Sequence, residues 1–178
     1  MEWREHQHLA HEAAASMTSE IRSNAKDLQG IRDGIRQEQV VLKNGVGILQ
    51  QVVKTGKLPH GNLSVNFNIT DLDEVSWKTA QTTGTLAYMP YSQAQELSSI
   101  YITQDELKES EHQAARDAIV SLSSIVLMKD GSEDMDPGEA KTMIGHLGVL
   151  QGQLLLVDAF AKSLSEEYSK YLAAHPES

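Results

Sequence analysis

The chain of 178 residues has no cysteine, only 4 prolines and 2 phenylalanines, and aromatic side chains make up 5% of it. Without cysteine there is no disulfide scaffold, no thiolate-ligated zinc or iron–sulfur cluster, and no cysteine nucleophile. Positive charge is also scarce. Against 15 Lys and Arg stand 25 Asp and Glu, a formal charge of −10 with histidines neutral. A dedicated nucleic-acid binder needs a basic face to displace counterions, so no nucleic-acid partner is expected. No run reaches the roughly 18 uninterrupted apolar residues of a spanning helix. The most apolar stretch, Gly145 to Ala161, is interrupted by Gln151, Gln153 and Asp158. The opening MEWREHQHLAHE lacks the apolar centre of a signal peptide, so the chain as it stands reads as soluble. Neither a G-x-S-x-G elbow nor a glycine-rich phosphate loop occurs, and no catalytic residue, cofactor or metal is assigned.

What is present is helical periodicity. Ala14, Ile21, Leu28, Ile35, Leu42 and Leu49 recur every seven residues. The interleaved positions are Met17, Asn24, Ile31, Glu38, Gly45 and Val52. Such a repeat keeps one seam of a long helix, about residues 1–56, against a partner helix. Asn24 and Glu38 are the polar interruptions, and a polar seam residue can fix helix register at some cost in stability. Glycines at 30, 34, 45 and 47 weaken the helix by about 1 kcal/mol each relative to Ala, so a kink is expected near Gly30 or Gly45. Thr55-Gly56-Lys57-Leu58-Pro59 then stops it.

Residues 57–90 read as a connector. Val65, Phe67 and Ile69 alternate with asparagines in a strand-like pattern, and one lone strand can only lie over helices. Two glycosylation sequons, at Asn62 and Asn68, are short matches in an Asn-rich loop. Asp71-x-x-Glu74 has capping-box spacing and predicts a short helix carrying Trp77, ended by Gly84. Pro90 predicts the start of a helix over about 91–128. After an acidic turn (Lys129 to Asp136), Asp136-Pro137-Gly138-Glu139 supplies an N-cap, a Pro at N1 and a Glu at N3. The last helix carries two full heptad sets, Ala140, Leu147, Leu154, Ala161 and Tyr168 with Met143, Leu150, Val157, Leu164 and Tyr171. At about 1.5 Å rise per residue, helices of this length reach roughly 50–75 Å, far beyond the roughly 16 Å radius of gyration of a compact chain this size. The expected fold is all-α: one domain over 1–178, an elongated antiparallel bundle of three long helices plus one short helix, with 91–173 as a helical hairpin.

Several constellations have the spacing of chemistry. His8 and His11 share a helix face beside Glu5 and Glu12, and Glu5-x-x-His8 and Glu109-x-x-His112 have di-iron carboxylate spacing. Solvated helix faces account for both. Asp130 to Asp136 resembles a calcium loop, but Met135 stands where that loop needs Gly and Lys141 where it needs its bidentate Glu. Gly145, Gly148 and Gly152 form a glycine strip, read here as packing within the bundle rather than against a partner backbone. Trp77, Tyr88, Tyr91 and Tyr101 are candidate lining for a small-ligand pocket, with core packing as the plainer reading.

Two stretches resemble a loose group of uncharacterised bacterial single-pass membrane proteins. One is Glu2-Trp3-Arg4-Glu5 followed by an Ala-rich helix and Glu20-Ile21-Arg22-Ser23-Asn24. The other is Trp77-Lys78-Thr79-Ala80-Gln81, Gly84, Met89-Pro90-Tyr91 and Tyr101. The resemblance covers the first 101 residues and implies an apolar anchor upstream of Met1, which this sequence does not contain. It implies an inner-membrane location with the helical domain exposed on one side, the periplasmic side being favoured. Residues 1–60 carry 8 basic and 7 acidic side chains and the remainder 7 and 18, so only the first segment tolerates an anionic surface. The functional expectation is a non-enzymatic interaction or scaffolding domain working through helix faces, with a protein partner or by self-association as a coiled coil. The alternatives are a small-ligand-sensing bundle and, third, a metal-dependent carboxylate-bundle enzyme.

Overall fold

The structure is a computed structural model that describes residues 2–58, 71–126 and 135–176, with side chains over 3–58, 71–120 and 135–176. It is all-helical, with four α-helices and no strand among the described residues. They are α1 (Glu2–Thr55), α2 (Val75–Thr82), α3 (Tyr91–Val126) and α4 (Pro137–Ala174), with a single 3-10 turn, Thr85–Tyr88, between α2 and α3. The strand-like pattern from Val65 to Ile69, both sequons, and the turn from Lys129 to Asp134 lie outside the described residues.

Every seam position read from the heptads of α1 and α4 is buried, Asn24, Glu38 and Gly45 included. Helical residues seven apart return to nearly the same face, so a seven-residue apolar repeat maps directly onto a buried stripe. The helix is not interrupted at Gly30 or Gly45. α1 runs unbroken for 54 residues, because Leu28, Ile31, Ile35, Leu42 and Leu49 bury on one side of it and tertiary packing outweighs the glycine cost.

The chain divides into two compact units, and three of the four boundaries between them fall inside the long helices. One comprises Met1–Ile31, Thr70–Lys108 and Phe160–Ser178. Its core includes Met17, Ile21, Leu28, Leu97, Leu107, Leu164 and Tyr168. The other comprises Arg32–Ile69 and Glu109–Ala159, with Leu42, Leu49, Met143, Leu150, Leu154 and Val157 buried.

The helix ends show which local signals operate. α1 stops at Gly56, whose φ of +68° is the left-handed conformation that glycine adopts without strain, and its N–H donates to the Val52 carbonyl. The Gly56 carbonyl in turn accepts the Met135 N–H at 3.3 Å. α2 ends similarly, with Gly84 at φ +70°. α4 starts as its sequence predicts: Pro137 is its first residue, and Asp136 Oδ1 accepts the N–H groups of Gly138 (2.7 Å) and Glu139 (3.2 Å). The capping box predicted for α2 is not formed. No side chain of Asp71 or Glu74 caps it; Glu74 pairs with Lys78 and Lys108, and Asp71 with Lys108 at 3.2 Å. The orphan Ser76 N–H goes instead to Glu20 Oε2 of α1, at 2.7 Å. A tertiary carboxylate has replaced the local cap.

Asp136→Ala therefore removes the acceptor for two orphan N–H groups and is expected to cost about 1 kcal/mol. Asp136→Asn retains an acceptor and should cost less, both read from urea denaturation midpoints.

Candidate interaction site

The first unit is organised around a buried side-chain amide. Asn24 is fully buried on α1, between apolar residues one turn away on either side, Ile21 and Leu28. Its Oδ1 accepts the Asp73 N–H at 2.9 Å and its Nδ2 donates to the Asp73 carbonyl at 2.7 Å. A side-chain amide thus pairs with both backbone groups of one residue outside the helices, as a neighbouring strand would. Gln104 of α3 adds a donor to the same carbonyl at 3.0 Å, and Gln104 Oε1 accepts the Tyr168 hydroxyl of α4 at 2.7 Å. The segment before α2 is thereby tied to α1, α3 and, through Gln104, α4. A second tie lies beside it. Glu20 accepts the Tyr101 hydroxyl at 2.6 Å as well as the Ser76 N–H, and Trp77 stacks on Tyr101 with ring centroids 4.9 Å apart. Burial, together with the acceptance of its proton by Glu20, pushes the Tyr101 hydroxyl well above the ordinary tyrosine range. Burial does the same to Tyr168.

The candidate pocket residues separate. Trp77 pairs with Tyr101, whereas Tyr88 stacks on His6 of α1 at 4.1 Å and Tyr91 is 83% exposed. Tyr91 borders a shallow depression along α3 whose described lining comes from that helix alone, including Gln95, Ile102 and Glu106. A smaller cavity of about 100 Å³ lies between α3 and α4, lined by Glu96, Ser99, Ile100, Glu167, Lys170, Tyr171 and Ala174. None of the four aromatics named from the sequence lines it.

Among the described residues, no three His, Cys, Asp or Glu side chains converge as a metal ion would require. His8 pairs with Glu12 at 3.3 Å, both well exposed, and Glu109 pairs with Arg116. Glu38 and Glu111 are buried in the second unit, where each has an interaction partner.

The glycine strip departs most from expectation. Gly145, Gly148 and Gly152 are exposed, and a Cβ built on any of them would meet nothing within 4 Å. The close contact within the bundle that their spacing predicts is not made, because the heptad residues one or two positions away (Met143, Leu147, Leu150, Leu154) turn the other side of α4 inward. The strip shares its outward face with exposed Val149 (57%), Leu155 (59%) and Leu156 (48%). α4 is therefore apolar on both faces. By length and composition it is apolar enough to cross a membrane, yet only 28% of its most apolar 18-residue stretch is buried. Other exposed apolar side chains of this unit are Val40 on α1 and Ile119 and Val120 on α3. The signal that marks the outer face is the absence of Asp, Glu, Lys and Arg from Thr142 to Val157.

No family model, curated protein or solved structure matches the chain.

Two outcomes follow from the buried network. Asn24→Ala removes both hydrogen bonds to Asp73 and should destabilise the chain by about 1–3 kcal/mol in urea titration. Ser16→Ala, which loses only an exposed hydroxyl contact to Ser76, should stay within about 0.5 kcal/mol. The tyrosines set an alkaline limit. Their folded pKa values lie above the unfolded value of about 10, so their contribution is complete below pH 10. It is lost as pH rises beyond that, because only the unfolded chain ionises. Urea midpoints at pH 8 to 9 should be flat in this respect and fall above pH 10, with a shallower fall for the Tyr101→Phe/Tyr168→Phe chain.

Proposed function

We propose that this chain is a non-enzymatic helical interaction or scaffolding domain, held at the bacterial inner membrane by an anchor upstream of Met1, with its helices on the periplasmic side. In the first unit α1, α3 and α4 pack as a bundle in which α4 runs antiparallel to α1 and α3, those two running in the same direction (Glu20 meets Tyr101 and Asn24 meets Gln104), with α2 laid on them. Support for that arrangement comes from that unit's contacts. Thr18 of α1 meets Tyr171, while Asn24, further along α1, connects through Gln104 to Tyr168, earlier on α4. Descending numbers on α4 against ascending numbers on α1 are the signature of antiparallel neighbours.

The observation that carries the interaction reading is the outer face of α4. Single exposed apolar residues are ordinary on protein surfaces, but a contiguous apolar face without charge marks a contact site. Val149, Leu155 and Leu156 are exposed around Gly152, each three or four residues from it and so on one broad face, and the glycine leaves room for an approaching backbone. The near-neutral first segment, 8 basic against 7 acidic residues up to position 60, supports placing the N-terminus nearest an anionic lipid surface.

The experiment is site-specific photocrosslinking in cells with a benzophenone amino acid at Val149 or Ile119 and, as control, at exposed Lys43. Discrete protein adducts from Val149, absent from Lys43, are the expected result. Adduct yields at Val149 no higher than at Lys43 would overturn the interaction reading.

A further inference from the structure

We propose that the outer face of α4 docks against the same face of a second copy of this chain, with the two helices antiparallel and crossing at Gly152. This rests on the interaction reading above and names its partner. The first reason is charge. The chain carries −10, so two copies repel over most of their surface. The stretch from Thr142 to Val157 holds no Asp, Glu, Lys or Arg, so two copies meeting there bring no like charges together and desolvate none.

The second reason is shape. The face is tapered, small at its N-terminal end (Gly145, Gly148) and large at its C-terminal end (Leu155, Leu156), with Gly152 between. A parallel pair would set leucines against leucines at one end and leave a void between glycines at the other. An antiparallel pair about a two-fold axis at Gly152 sets Gly148 opposite Leu155 and Val149 opposite Leu156, each small or medium residue facing a larger one. This is the self-complementarity that an isologous two-fold interface requires. At the crossing point the two Gly152 residues face each other, and interaxial distance there is limited only by backbone. Ideal Cβ atoms at these glycines meet nothing within 4 Å among the described residues, so no side chain of the same chain fills the glycine notches.

Area sets the strength. A stable dimer buries about 800 Å² per partner, and one helix face of four turns supplies less. The dimer is therefore weak, with dissociation in the micromolar range or above.

The test is sedimentation velocity of the full chain from about 1 μM to about 1 mM, a range that brackets such an affinity. A concentration-dependent dimer is expected. Gly152→Leu should weaken it by about tenfold or more while leaving the thermal midpoint unchanged or higher, since leucine is the better helix former and position 152 is exposed, with nothing within 4 Å of an added Cβ among the described residues. That midpoint separates a blocked interface from a damaged fold. Because the chain contains no cysteine, orientation is read by introducing single ones. Gly152→Cys should cross-link to itself, and Val149→Cys should cross-link to Leu156→Cys in a mixture more readily than either does to its own kind.

A monomer over the whole range, or a dimer indifferent to Gly152→Leu, overturns the proposal. So does self-linking of Val149→Cys and of Leu156→Cys in place of the mixed pair, which reports parallel helices. Flotation of a monomeric chain with neutral phosphatidylcholine vesicles, abolished by Leu156→Asp, would assign the face to lipid instead. Photo-adducts at Val149 that join the chain to a different protein, with no dimer, would sink self-association while leaving the interaction reading intact.

Discussion

The first unit depends on one amide. A non-helical backbone segment laid on a helical protein brings an N–H and a C=O outside any helix ladder, and each hydrogen bond that pairs them contributes about 0.5–1.5 kcal/mol. Asn24 supplies both partners to Asp73 from a single side chain. Its own position is secured because it sits in the seam of α1, where burial admits few rotamers. Once Asp73 is held, α2 begins two residues later, its Ser76 N–H falls on Glu20, and Trp77 falls on Tyr101. Gln104 and Tyr168 complete the network, with Gln104 sharing the Asp73 carbonyl with Asn24 and accepting the Tyr168 hydroxyl.

A different constraint governs α4. Its inner face is an unbroken apolar heptad, and its outer face combines glycines with exposed valine and leucine. Neither feature of the outer face helps an isolated helix. Glycine lowers helix stability by about 1 kcal/mol relative to Ala, and each large apolar side chain left in water forgoes about 1.5–3 kcal/mol of burial. A helical stretch without charge on either face, as α4 is from Thr142 to Val157, is normally one whose whole surface is covered. The outer face of α4 has the composition of a covered surface, and the interaction reading follows from that mismatch.

Much of this was legible in the sequence, and the failures share a cause. The heptads of α1 and α4 named buried residues correctly because periodicity alone decides which side of a helix is apolar. The stop at Gly56 and the start at Asp136 were legible because glycine at positive φ and an Asx cap act within one turn of chain. Asn24 was recognisable as a polar residue in an apolar seam, yet its partners were not, since Asp73 and Gln104 lie 49 and 80 residues away. Gln104 and Glu20 were missed although Gln104 carries the same signal, a polar side chain inside the apolar stripe of α3. The capping box at Asp71 and Glu74 had the right spacing, but its carboxylates are drawn to Lys108, a competition invisible to a four-residue motif.

The glycine strip and the aromatics mark the boundary between the two kinds of information. Spacing placed Gly145, Gly148 and Gly152 on one face of α4, and that much the sequence determined by itself, because helix geometry fixes which residues share a face. It also determined the all-helical class, the core seams and the helix ends. Whether that face met the bundle or open space was decided only by tertiary structure, since α4 is apolar on both sides and periodicity cannot say which side the other helices cover. Likewise, Trp77 and Tyr101 became a stacked pair, Tyr88 was drawn to His6 and Tyr91 was left in solvent through contacts between distant segments, where packing and hydrogen-bond satisfaction decide and local pattern carries no information.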